Sequence, residues 1–166
     1  MNLDYWETHV NNQSGLQWVE HGFPALFHSI PQTFCSQNRK FNRCEADFID
    51  QEVSRLLKNN YISIGESDYI SAITVVPKRR TYRLVTDLRI INGYSQSKIF
   101  INENIDDVIE AVCPDGVLVT FDIKDGFYNI LLRMEDSKYY SFKWRNNIYS
   151  WNVLCFGWSL TIFAKL

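Results

Sequence analysis

The stretch YISAITVVPKRRTYRLVTDLR, residues 69–89, decides how the chain is read. Residues 70–76 are apolar and largely β-branched, and residues 82–88 have the same character. Between them stands a short polar connection, Pro77-Lys78-Arg79-Arg80-Thr81. Two strand-forming runs joined by so few polar residues predict an antiparallel hairpin. Its tip is also the one strongly basic place in the sequence. From Lys78 to Lys98, six cations (Lys78, Arg79, Arg80, Arg83, Arg89, Lys98) stand against a single anion, Asp87. Lys78 and Arg83 are therefore candidates to neutralise phosphates, although consecutive basic residues are usual in an ordinary exposed turn.

Upstream of the hairpin, Asn42 and Glu45 have the three-residue spacing of a capping box, with Asn in place of the usual Ser or Thr. Ile49, Val53, Leu56 and Leu57 then share one helical face, and Asn59-Asn60 ends it, so a helix is expected over about residues 43–58. Further upstream, GLQWVEHGFPALFHSIP carries Trp18, Phe23, Leu26 and Phe27 among two prolines and two glycines. Their spacing is too irregular for a helix of its own, and the segment reads as an arm lying on the rest of the chain.

Downstream, Ile105, Val108, Ile109 and Val112 recur at helical spacing, with Asp106 and Asp107 in the first turn, where the helix dipole favours acids. Cys113-Pro114 stops that helix. Residues 117–121 predict a buried strand, and 130–132, 140–144 and 148–153 predict further strands, with Asn146-Asn147 as a tight turn between the last two. Helices mixed with a mostly antiparallel sheet make the fold class α+β.

The 166 residues suffice for a domain with a real core, and 46% hydrophobic, 22% charged and 15% aromatic residues are the profile of a soluble globular chain. A net charge of -2 excludes a protein that grips nucleic acid through bulk charge; any such contact needs a local patch. Cys35, Cys44, Cys113 and Cys155 have neither metal-ligand spacing nor the density of a disulfide framework. They read as reduced thiols of an intracellular (cytoplasmic or nuclear) protein. His9, His21 and His28 receive no catalytic role. The first residues show no basic region followed by an apolar run, so the chain is expected not to be secreted. No apolar stretch approaches the roughly 20 residues of a membrane span, so no membrane partner is expected.

The segment VTFDIKDGFYNI, residues 119–130, places Asp122 at the end of an apolar run and an Asp125-Gly126 turn just after it. A carboxylate at a strand end suits Mg²⁺, which takes oxygen ligands alongside substrate phosphates. Backbone N–H groups of the turn suit phosphate oxygens. Taken alone, an acid and a turn after a strand read first as a solvated turn.

Three stretches in order, VVPKRRTYRLVTDLRIIN, VTFDIKDGFYNILL and YSWNVLCFGWSL, together resemble the fingers and palm of retroelement reverse transcriptases. The upstream LLKNNYI is similar to that family's lead-in. The resemblance covers about residues 40–166 and, more weakly, 18–31, and looks most like the long-terminal-repeat or tyrosine-recombinase (DIRS-like) branch. It implies a partial right-hand polymerase, with an N-terminal arm over 1–40 and fingers with an incomplete palm over 41–166. The implied activity is RNA-directed DNA polymerisation by two-metal nucleotidyl transfer. Asp122 would be a catalytic carboxylate on two Mg²⁺ ions, with the carbonyl of Ile123 as a further ligand. The amides of Asp125 and Gly126 would meet the triphosphate, which Lys78 and Arg83 would hold from the fingers. Phe127 would be the steric gate against a ribose 2′-OH. Phe156 and Gly157 would floor the pocket, Asp87 and Arg89 would fix the fingers, and Arg89 would contact the template. Asn92 would be structural. The implied partners are an RNA or DNA template–primer, a deoxynucleoside triphosphate and the remainder of a polyprotein (palm, thumb and RNase H).

The sequence departs from the family in several places. The aromatic-x-Asp-Asp motif that supplies the other metal-binding carboxylates is not among these residues, whose last acids are Glu135 and Asp136. Cys155 stands where the family has proline, and the segment after Gly157 runs two residues short. The expectation is a reverse-transcriptase fragment of a retrotransposon, inactive by itself. The alternatives are a non-catalytic nucleic-acid-binding remnant using the basic hairpin and aromatics, and a functionless pseudogene product.

Overall fold

The computed structural model describes residues 13–78, 81–96, 105–112, 116–117, 119–121, 123 and 125–159. Helix α1 spans Gln13–His21, strand β1 Phe34–Cys35 and helix α2 Arg43–Lys58. Next come strands β2 (Ile62–Gly65), β3 (Tyr69–Ser71), β4 (Ile73–Lys78) and β5 (Thr81–Thr86), then helices α3 (Arg89–Tyr94) and α4 (Ile105–Ala111). Two 3-10 segments, Gly126–Asn129 and Met134–Tyr140, lead into strands β6 (Ser141–Trp144) and β7 (Asn147–Trp151).

The α+β class expected from the pattern is the one observed. One sheet has the order β1-β3-β6-β7-β2, and β4 and β5 form a second sheet of two strands. The larger sheet is mixed: β1–β3 and β3–β6 run parallel, β6–β7 and β7–β2 antiparallel. Its inner face carries Phe142, Tyr149 and Trp151, which pack with Ile49, Val53 and Leu56 of α2 and with Ile73, Val75 and Leu84 of the hairpin.

Helix α2 begins at the capping box read from the sequence. The Asn42 side chain accepts from the Glu45 N–H, and the Glu45 carboxylate accepts from the Asn42 N–H, both at 2.9 Å. Arg39 adds a two-pronged pair on Glu45, at 2.7 and 3.0 Å, which holds that carboxyl below the usual range. At the other end Asn59 returns its N–H to Arg55, and Asn60 turns left-handed at φ 57°. The hairpin also forms as expected, with a ladder that runs from Ile73 opposite Thr86 to Lys78 opposite Thr81. Its strand pairing therefore extends into Pro77, Lys78 and Thr81 of the polar connection.

Several expectations are corrected. Within the arm, Gln13–His21 forms a helix, α1, despite the irregular apolar spacing, and Phe23 just beyond the helix is buried. Phe23 is fully buried between Trp18 and Trp158, with ring centroids 4.7 and 5.4 Å away. Its N–H donates to the Leu131 carbonyl at 2.7 Å, and its carbonyl accepts from the Arg133 N–H at 3.0 Å. Strand β3 is separated from β4 at Ala72, so one predicted run serves two sheets. The tight turn falls one residue early, at Arg145-Asn146, with Arg145 at φ 54° and its guanidinium 2.6 Å from Asp50. Residues 130–132 make only single bridges, Leu131 with Val153 and Leu132 with Phe23. The buried strand over 117–121 is not found: none of the described residues there is in a strand, and Val117 and Phe121 are each 89% exposed. Helix α4 forms where expected, yet Ile105, Val108 and Ile109 on it are exposed.

Candidate functional site

The chain leaves β7 through a buried run, Val153-Leu154-Cys155, and then turns at Phe156-Gly157. Burial pushes the Cys155 thiol up, away from the thiolate. Gly157 sits at φ +107°, and a Cβ there would lie 2.7 Å from the Thr86 carbonyl oxygen. Only glycine meets both conditions, the backbone angle and the close approach to β5.

Side chains from the hairpin and α3 hold this turn. The Asn92 amide donates to the Gly157 carbonyl at 2.8 Å and accepts from the Ser159 N–H at 2.9 Å. Trp158 donates its indole N–H to Ser95 at 3.1 Å, and Trp151 donates to Thr86 at 3.0 Å, both in buried surroundings. The hairpin, α3 and the turn after β7 are thus joined by hydrogen bonds that need no surface charge.

On this support stands an aromatic group. Phe156 meets Phe127 edge-on, with centroids 5.3 Å apart at 85°, and meets Tyr128 at 5.8 Å. Tyr128 in turn stacks on Trp151 at 5.5 Å. Burial raises the Tyr128 phenol well above its ordinary value, so it stays neutral. The guanidinium of Arg83 lies over the Phe156 ring, 5.0 Å from its centroid, a cation–π contact. Arg83, Phe127, Phe156 and Gly157, four residues singled out in the sequence, are brought together.

Asp125 and Gly126 directly precede this group. Asp125 is left-handed at φ 53°, and its carbonyl accepts from the Tyr128 N–H at 2.8 Å. Its carboxylate lies 3.2 Å from Arg55 of α2. Lys78 is exposed at the end of the β4–β5 ladder, and the Ile123 side chain is exposed. Arg89 is also exposed and is bonded to Asp87 at 2.7 and 2.8 Å, which holds the Asp87 carboxyl below its usual range. Asp122 lies outside the described residues, as do the hairpin tip Arg79-Arg80 and Cys113. Among the described residues, no three His, Cys, Asp or Glu side chains gather as a metal site. The described donors therefore do not make up a magnesium site, and that expectation rests on Asp122.

Sequence reasoning missed Arg55, Thr86, Ser95 and Trp158 as parts of this site. Arg55 lies three residues after Glu52 and reads as an ordinary surface pair on a helix. Nothing local points to Asp125, 70 residues away.

The fold and these motifs have counterparts among known proteins. The chain is 26% identical, over 88% of its length, to the retrovirus-related Pol polyprotein from transposon 412 of Drosophila melanogaster. It is 29% identical, over 68% of its length, to the Pol polyprotein from transposon gypsy of the same organism. A foamy viral protease–reverse transcriptase solved in complex with dsDNA matches 96% of the chain with a TM-score of 0.69 at 16% identity. The chain shares its fold with the foamy viral protease–reverse transcriptase and is similar in sequence to retroelement Pol polyproteins. Its architecture is similar to the fingers and palm region of that fold. Scanning against protein-family models gives no match. The chain spans 15% and 12% of the two Pol polyproteins and 38% of the foamy viral chain. No helix among the described residues is long and apolar enough to cross a membrane.

Proposed function

We propose that this chain is the fingers and first palm segment of a retrotransposon RNA-directed DNA polymerase, and that its site takes a deoxynucleoside triphosphate opposite a template–primer. The observation that carries this reading is the meeting of Arg83, Phe127, Phe156 and Gly157 at one place. A flat ring beside a second ring and a cation is suited to a base, a sugar and a phosphate in that order. Phe127 excludes a ribose 2′-OH by its bulk. Phe156 and Gly157 floor the base, and Arg83 with Lys78 neutralises the triphosphate. The Asp125 and Gly126 amides complete the phosphate contacts, and Arg89 is the template-contacting residue of this reading. Asp122 and the Ile123 carbonyl would hold Mg²⁺ in the intact polymerase, and the ion would supply Lewis-acid activation there.

A polypeptide of these 166 residues alone is expected to bind template–primer without extending it, because Asp122 has no aromatic-x-Asp-Asp partner within the sequence. The test is primer extension on an RNA template with Mg²⁺, beside anisotropy of a labelled template–primer at increasing salt. Salt-sensitive binding without extension is the expected result. Extension abolished by Asp122→Asn would refute the inactivity and keep the polymerase assignment. Absence of binding at low salt would refute the template–primer part.

A further inference from the structure

Asp125 holds a left-handed backbone, φ 53°, which a residue other than glycine adopts only at a cost. The partner of its carboxylate is not local. Arg55 of α2 uses Nε and Nη2 on the two oxygens of Glu52, at 2.9 and 2.8 Å, and Nη1 on the Asp125 carboxylate at 3.2 Å. The same guanidinium lies 5.8 Å from the centroid of the Tyr128 ring. The three charged side chains are partly covered, with 38%, 18% and 34% of Arg55, Glu52 and Asp125 exposed. Without the guanidinium, two carboxylates would share this corner with no cation between them, and the turn would be driven outward. The helix and the turn are separated by 70 residues, so the contact belongs to the tertiary fold and not to the helix itself.

We propose that Arg55 is a positioning residue for nucleotide binding: it pins the Asp125-Gly126 turn so that the turn's backbone amides face a triphosphate. The inference rests on the nucleotide-site reading only for what the turn holds; the pinning stands by itself. Glu52 orients the guanidinium, and Tyr128 packs beneath it.

Hydrogen exchange and NMR on the isotope-labelled 166-residue chain test it. In Arg55→Gln, protection of the Tyr128 amide, which donates to Asp125, should fall roughly fivefold, while amides in the β6–β7 ladder keep theirs. Asp125→Asn should show the same local loss from the other side of the pair, and Arg55→Lys should recover most of it. Magnesium tripolyphosphate should shift the Gly126 amide in the parent chain and bind at least several-fold more weakly in Arg55→Gln. If Arg55→Gln leaves the Tyr128 amide unchanged, or loosens the β6–β7 ladder equally, the positioning role is overturned. If tripolyphosphate moves nothing near Gly126 while the turn still loosens in Arg55→Gln, the pinning is supported and the triphosphate reading above fails.

Discussion

Replacing Gly157 by alanine probes the close approach between the turn after β7 and strand β5. Two effects add. Alanine at φ +107° costs about 1–3 kcal/mol in backbone strain. Its Cβ would also lie 2.7 Å from the Thr86 carbonyl oxygen. Thr86 is paired with Ile73 in the ladder and its hydroxyl accepts from the Trp151 indole N–H, so its carbonyl has little room to retreat. Overpacking of this kind costs roughly another 1–3 kcal/mol. The sum is about 2–6 kcal/mol, or roughly 4–24 °C in melting temperature for a chain of this size. Gly93 in α3 is the control: nothing lies within 4 Å of a Cβ built there. Gly93→Ala should be neutral or stabilising by up to about 1 kcal/mol. Urea titrations followed by circular dichroism give both values. A Gly157→Ala chain within about 0.5 kcal/mol of the parent, on the order of an ordinary surface substitution, would refute the close approach to β5.

Two further outcomes concern hydrogen-bonded side chains. Asn92→Ala removes both hydrogen bonds to the turn and should lower unfolding free energy by about 1–2 kcal/mol in urea, with the Arg83–Phe156 contact loosened in NMR spectra. Asp50 accepts hydrogen bonds from Arg145 and Trp144, in that order of effect, which hold its carboxyl below the usual range. A depressed folded-state value means that this stabilisation is present above about pH 4 and fades as pH falls through the folded value. The stability difference between the parent chain and Asp50→Asn, measured by urea titration, should therefore shrink between about pH 6 and pH 2.

The parts of the fold that were legible are those whose signals are local. The Asn42–Glu45 box and the face of Ile49, Val53 and Leu56 specify α2 without reference to anything distant, and its observed span, Arg43–Lys58, agrees with the reading. The hairpin is likewise contained within a few residues of its turn. Residues 117–121 have the composition of a strand, yet a strand exists only by pairing, and composition does not name the partner. Helix α1 has no regular apolar spacing to announce it: its half-buried Trp18 packs on Phe23, and it is Phe23, beyond the helix, that reaches the distant Trp158. For the site, charge in the hairpin pointed to Arg83, and the resemblance to reverse transcriptases implied Phe127, Phe156 and Gly157. They could not show the Arg83–Phe156 stack, the Asn92 clamp or the reach of Arg55, because each joins residues some 65–73 positions apart, a separation no sequence window spans.

The most direct test of the nucleotide pocket is to locate a bound nucleotide on the chain. Photolabelling with an azido-substituted deoxyadenosine triphosphate, with Mg²⁺ and template–primer present, should mark peptides containing residues 125–129 and 155–157. Unmodified deoxynucleotide should suppress the label more effectively than the ribonucleotide. Labelling confined to other segments, or equal suppression by both nucleotides in a chain with Phe127 intact, would contradict it.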